Sequence, residues 1–360
     1  MNRFAPDEVW IERSEWDTAV AATVRARVGA APVRVFDDGR PPEPPTFADG
    51  KRRLIVQRHS GSFLRSCPAG TGKLVCCNYL VVNFASNCPF DCSYCFLQEY
   101  LANNPALKVF TNVGDGLAEI DAVVRAHPER MFRIGTGELA DSLALDPLTA
   151  LSRQLVPFAA ARPNLVLELK TKSDCVDELL GLEANGRVVV SWSMNTPAII
   201  QRHEPGTASF SERLAAADRV QRAGYRVGFH FDPLVAGDDW EREYPAAAER
   251  LLARVDAAAL AWISFGSLRL SPRLAAIMRA RGTGRDLLAT ELVAGADGKA
   301  RAWHGLRSRM YRTMVEKIRA RAPGVPIYLC MEPGSVWERV MSEVPSDRML
   351  GMRLAAGGGW

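Results

Sequence analysis

The sequence predicts an α/β protein built on a partial (β/α)6 barrel of TIM type, and two observations carry the prediction. From Leu80 onward, apolar runs of strand length alternate with helical patterns, which implies right-handed βαβ units and a parallel sheet. There are six such units, too few to close a barrel of eight, so the sheet stays open. Its chemistry is expected on loops at the C-terminal ends of the strands.

The elements follow in chain order. Val9, Trp10 and Ile11 start a strand, an Ala/Val-rich helix runs through Ala30, and Val33–Phe36 form a second strand. The proline-rich RPPEPP from Arg40 to Pro45 reads as a stiff linker. Barrel strands are expected near Tyr79–Ala85, Met131–Gly135, Leu165–Lys170, Val188–Ser193, Arg226–Phe231 and Leu260–Phe265. Helices are expected at Leu117–Ala126, Ala150–Ala160, Ser211–Ala223 and Ala246–Ala257. Beyond them, Leu287–Val293, ADGK and Ala300–Trp303 look like a hairpin, followed by a basic helix, a strand at Pro326–Cys330 and a glycine-rich tail, Gly357–Gly359. The predicted divisions are a small N-terminal α/β segment (1–45), the partial barrel (46–270) and a C-terminal hairpin/helix extension (271–360).

The 360 residues are 48% hydrophobic and 24% charged, enough to bury a sizeable core. A formal net charge of +4 is compatible with a nucleic-acid partner without arguing for one. No apolar run is long enough to cross a bilayer, and the N-terminus has no apolar signal core, so a cytoplasmic enzyme is expected.

Of eight cysteines, Cys67, Cys76, Cys77, Cys88, Cys92 and Cys95 crowd into one stretch, with Cys175 and Cys330 further on. In a reducing compartment such crowding reads as metal or redox chemistry. Cys88-x3-Cys92-x2-Cys95 directly follows the first barrel strand. Three thiolates on one short loop suit three irons of a cubane [4Fe–4S] cluster and leave the fourth iron open. Structural zinc prefers four ligands, often as paired CxxC units, and no second pair is present.

The motif resembles that of radical S-adenosylmethionine (SAM) enzymes. Wider stretches make the resemblance specific: VWIER from Val9, NFASNCPFDCSYCFLQEYL from Asn83, ALKVFTNV from Ala106 and HEPGTASFSERLAAADRVQRAGYRVGF from His203. On these the chain is similar to the spore photoproduct lyase family of radical SAM proteins. The resemblance implies a partial barrel, reductive cleavage of SAM to a 5′-deoxyadenosyl radical, and action on thymine-derived photodimers in DNA. It also implies an electron donor such as flavodoxin or ferredoxin.

The same resemblance supplies a SAM pocket. Tyr94 would lie against the adenine or pack the loop. Glu138, in Gly135-Thr136-Gly137-Glu138, would accept the methionyl ammonium, with Asp141 and Ser142 as weaker candidates. Lys170 is the choice for a carboxylate or ribose contact. Ser191, Ser193 and Asn195 share one face by alternation and could converge on the ribose or carboxylate. His230 and Asp232 would line the substrate cavity, with Gly237–Trp240 on its rim. Arg269, in an arginine-rich C-terminal region, would contact substrate phosphate or base. A hairpin there could wedge a damaged base pair.

The chain departs from the family pattern at two positions. Glu138 falls where the family's hydrogen-donor cysteine is expected, and Phe96 follows Cys95 where a tyrosine is expected. Neither side chain has a weak X–H bond to offer a carbon radical. An alternative reading is therefore radical modification of a nucleotide, small metabolite or peptide. Cys67, Cys76, Cys77 and Cys330 form a candidate second metal site, an iron–sulfur cluster or zinc, or supply the missing thiol donor; Cys175 reads as a buried small hydrophobe. Thr71-Gly72-Lys73 lacks the full GxxxxGK[ST] pattern of a phosphate loop.

Overall fold

A computed structural model describes residues 4–37, 40–41, 43–44, 46–68 and 74–355. Thr71–Lys73, the glycine tail, and Pro42 and Pro45 of the linker lie outside the described residues.

The barrel strands are β1 (Leu80–Val82), β2 (Phe132–Gly135), β3 (Leu165–Thr171), β4 (Val188–Ser193), β5 (Arg226–Leu234) and β6 (Leu260–Ser267). They lie side by side in that order, all parallel. A seventh parallel strand, β7 (Ile327–Leu329), extends the sheet beyond β6, and Leu64–Ser66 pairs antiparallel with β1 at the other edge. The result is an open, curled eight-stranded sheet. Every residue of β4 and β6 is buried, as a parallel strand covered on both faces requires. Helices at Val113–Ala126, Ser152–Ala160, Phe210–Arg222, Trp240–Leu252 and His304–Arg319 bury one stripe each.

The six predicted strands appear, with three corrections: at one strand's margin, at one helix and in the C-terminal region. The run Tyr79–Ala85 is not one strand: Ala85–Ser86 pairs antiparallel with Leu107–Phe110 in a second sheet. That five-stranded sheet also contains Val33–Phe36, Glu8–Glu12 and Arg53–Gln57. The helix expected from Ala246 begins at Trp240, with Pro245 inside it; a proline there removes one backbone donor without stopping the helix. In the C-terminal region, Arg285–Ala289 is helical, and only Val293–Ala294 and Ala300–Arg301 pair as a hairpin, joined by Arg269–Leu270. No described helix is long and apolar enough to cross a membrane.

Candidate active site at the cysteine loop and barrel mouth

The loop after β1 is built around Asn87, whose positive φ of 68° suits asparagine better than most side chains. Its amide donates to Leu139 O at 2.7 Å, and its Oδ1 accepts from Cys88 N at 2.8 Å. Buried Lys51 reaches in from below, donating to the carbonyls of Cys88 (2.9 Å) and Phe90 (2.6 Å). Gln98 donates to the carbonyls of Cys92 and Ser93, both at 3.0 Å. The loop is thus held through its backbone, and none of its thiols is spent in a disulfide. None of the eight cysteines is in a disulfide.

Cys92 is within electrostatic reach of both Cys88 and Cys95. Burial pushes the Cys88 thiol up, with Asp141 adding to it, and burial pushes Cys92 up to about 12. Among the described residues, no three His, Cys, Asp or Glu side chains converge as ligands of a single ion. A cubane does not require that, because each thiolate binds a different iron. A loop carrying three free thiols, with its carbonyls already occupied, fits such a cluster in donor type and number. The same finding gives no ion site to Cys67, Cys76, Cys77 and Cys330. Cys76 and Cys77 lie outside any strand, so strand alternation does not apply to them. Cys77 takes an Arg133 Nη2 contact at 3.6 Å and is within electrostatic reach of Cys330.

Alternation along the strands places two polar layers inside the sheet. The lower layer joins Arg133, Glu168, Ser191, His230, Ser264 and Tyr328. His230 Nε2 and the Ser191 hydroxyl meet Glu168 Oε1 at 2.6 and 2.7 Å, and His230 Nδ1 meets Ser264 Oγ at 2.6 Å. Arg133 stands 3.9 Å from Glu168 and donates to the Tyr328 hydroxyl at 3.1 Å. Burial alone would raise the Glu168 carboxyl, but His230 and Arg133 outweigh it and hold Glu168 well below the usual range. Burial lowers His230 despite Glu168.

The upper layer, at the mouth, carries Lys170, Ser193 and Asp232 on the strands, with Glu138 and Cys330 on the loops after β2 and β7 and within electrostatic reach of Lys170. Burial raises Glu138, opposed by Lys170 and Arg65. Asp232 pairs with Arg269 Nη2 at 2.9 and 3.1 Å. Burial would raise Asp232, but Arg269 and Lys170 hold it low. A Cβ on Gly266 would stand 2.6 Å from the Asp232 carboxylate, so only glycine leaves room for that pair.

The structure therefore brings Glu138, Lys170, Asp232 and Arg269 together and separates the predicted trio on β4 and the loop after it. Ser191 is held by Glu168. Asn195 is fully buried and engaged by Thr196 N, Tyr244 Oη and Pro233 O. Of the three side chains, only that of Ser193 makes no hydrogen bond among the described residues. Asp141 accepts four hydrogen bonds, from Leu143 N, Ala144 N, Lys172 N and the Thr171 hydroxyl, and so ties the β2 loop to the end of β3. Ser142 bonds Thr136 and Lys170 N. The buried Tyr94 hydroxyl is taken by Glu204 and by Lys172 Nζ.

Glu168, Arg133, Lys172, Glu204 and Arg213 escape the sequence reading. Charged residues within apolar strands or at the start of a helix are a signal for some of them, since buried charge demands partners. The partners themselves are distant in sequence.

A family model described as spore photoproduct lyase matches residues 68–271, more than half the chain. The chain belongs to the spore photoproduct lyase family. Curated relatives include spore photoproduct lyases of Geobacillus sp. (strain Y412MC61), 30% identical over 51% of this chain and 54% of that protein, and of Bacillus subtilis (strain 168), 29% identical over 47% and 50%. The chain thus aligns over about half the length of these lyases. Similar solved structures include a spore photoproduct lyase mutant with bound AdoMet and dinucleoside spore photoproduct (TM-score 0.80, 24% identity, covering 91% of this chain and 99% of that one). Another is a spore photoproduct lyase complexed with dinucleoside spore photoproduct (TM-score 0.80, 23% identity, with the same coverage). At that identity the likeness establishes the fold, the partial barrel expected of the family.

Proposed function

We propose that this chain is a radical SAM enzyme of lyase type that holds a [4Fe–4S] cluster on Cys88, Cys92 and Cys95 and acts on thymine photodimers in DNA. The observation that carries the reading is a backbone-anchored loop of three free thiols at the C-terminal mouth of an open parallel barrel, in a chain of this family. When bound and reduced by a flavodoxin or ferredoxin, the cluster would supply one electron to the SAM sulfonium, giving methionine and a 5′-deoxyadenosyl radical.

The chain's own residues position the reactants. Glu138 accepts the methionyl ammonium, Lys170 faces the carboxylate, and Ser193 offers its hydroxyl to the ribose. Ser191 and Asn195 act indirectly, by fixing β4. Tyr94 anchors the loop beside the nucleoside. His230 holds Glu168 beneath the cavity, and Asp232 with Arg269 forms a fixed polar wall for the substrate.

Photodimer repair also needs a hydrogen atom returned to the product radical. Glu138 and Phe96 cannot provide it. Cys330 is the thiol assigned here: burial and then Asp232 push it up, so it keeps its S–H at neutral pH. Replacing Cys330 with Ala should leave 5′-deoxyadenosine formation intact while lowering the yield of repaired thymine.

The carboxylate at Glu138 and the exposed Phe96 also favour a second reading, radical modification of a non-DNA substrate. Anaerobic incubation of reconstituted enzyme with SAM, dithionite and a dinucleotide photoproduct separates the two. Thymine release supports repair. SAM cleavage without thymine release, on the dinucleotide and on an irradiated oligonucleotide alike, removes the repair reading.

A further inference from the structure

The stretch His203–Arg213 carries much of the resemblance, yet the binding roles above make no use of it. In the structure it forms the back wall of the cysteine loop. The carbonyls of His203 and Pro205 accept from Ser93 N (2.9 Å) and Asp91 N (3.1 Å). The Ser93 hydroxyl meets His203 Nδ1 at 3.0 Å, and His203 Nε2 meets Asp286 at 3.0 Å.

Between these two backbone contacts the Glu204 carboxylate is buried. It receives the Tyr94 hydroxyl, Lys172 Nζ at 2.7 Å and Arg213 Nη2 at 2.5 Å. Fully buried Arg213 also donates to Ser193 O (2.7 Å), Ala208 O (2.9 Å) and the Thr207 hydroxyl (2.7 Å). Two cations and one anion are thus fixed behind the loop, all within electrostatic reach of Cys92. Charge in a dry interior acts at several times its strength in water, and cluster potentials respond to local charge, hydrogen bonding and solvent exposure.

We infer that Glu204, Arg213 and Lys172 are positioning residues whose net positive charge sets the reduction potential of the iron–sulfur cluster held by the loop. The reduced cluster carries one more negative charge than the oxidised one, so each positive charge added behind Cys92 favours reduction and each one removed opposes it. The inference rests on the proposed cluster and concerns only its potential.

The test is a potentiometric titration of reconstituted, SAM-free protein followed by electron paramagnetic resonance, with iron counted in each variant. Glu204→Gln keeps the shape and raises the local charge by one; its reduction equilibrium should shift about tenfold toward the reduced form, ~59 mV upward for one electron. Lys172→Met lowers the charge by one and should shift it by a similar factor downward. Arg213→Lys keeps the charge and should leave the potential near that of the wild type. If Glu204→Gln loses its iron, Lys172→Met carries the test, because the Lys172 side chain is 17% exposed and less embedded. Shifts of the same sign in both charge variants, or none in variants with wild-type iron content, overturn the inference. A wild-type protein that assembles no cluster would instead overturn the proposed function.

Discussion

Two buried charge clusters lie in this barrel, and they differ in how completely their polar atoms are engaged. Behind the cysteine loop, Glu204 meets Tyr94, Lys172 and Arg213, and every nitrogen of the Arg213 fork donates. Inside the sheet, Glu168 is equally well served, but Arg133 keeps Nε and Nη1 without a hydrogen-bond partner among the described residues. Its guanidinium lies instead over the rings of Tyr79, Trp262 and Tyr328, at 4.6, 4.8 and 5.3 Å. A fully satisfied network makes a rigid wall, whereas buried donors left over call for water or ligand. The cluster behind the cysteine loop thus holds that loop still, whereas the one inside the sheet keeps donors unspent beneath the barrel mouth.

Breaking the satisfied cluster should cost most. Arg213→Ala leaves the buried Glu204 only Lys172 and the Tyr94 hydroxyl and is expected to destabilise the protein by about 3–5 kcal/mol in denaturant unfolding. A cost below about 1 kcal/mol would mean that the wall is not rigid. In the interior cluster, Glu168→Gln keeps an acceptor for Ser191 but removes the charge facing His230 and Arg133. An expected loss of about 2–3 kcal/mol follows from a charged hydrogen-bond network. The smaller cost reflects cation–π contacts that still support Arg133.

The pH dependence sharpens the contrast. Burial alone would raise Glu204, but Lys172 and Arg213 depress it to about 2. Its stabilisation is therefore complete above the ordinary glutamate value near 4.5 and is lost as the pH falls from there toward 2. His230 is lowered by burial, so its neutral form is the native one; that contribution is present above the ordinary histidine value of 6.5 and is lost as the pH falls below it. His203 is lowered in the same direction. Thermal unfolding followed against pH should show stability falling from about pH 6.5 downward. His230→Gln should remove part of that first loss, and Glu204→Gln only the loss below about pH 4.5. If His230→Gln leaves the profile above pH 5 unchanged, the assignment of the interior cluster is wrong.

The barrel was legible in the sequence because doubly covered parallel strands must be apolar throughout, as Val188–Val190 and Leu165–Leu167 are. The cysteine loop stood out in the sequence because Cys88, Cys92 and Cys95 fall so close together. The supporting charge was not. Glu168 finds His230 62 residues away and Tyr94 finds Glu204 110 residues away, so neither partner shows in a local window. Alternation correctly put Ser191 on the inner face, but it cannot tell a serine offered to a ligand from one already held by Glu168. The start of the helix at Trp240 was hidden because Pro245 reads locally as a breaker.

Whether Cys88, Cys92 and Cys95 act together is open to one direct measurement. Wild-type and Cys92→Ala proteins are reconstituted anaerobically with iron and sulfide, then given SAM and dithionite, and 5′-deoxyadenosine is quantified. The wild type should form it and Cys92→Ala should form none, with the visible absorption of the cluster lost in parallel. Formation of 5′-deoxyadenosine by Cys92→Ala at the wild-type rate would contradict the assignment.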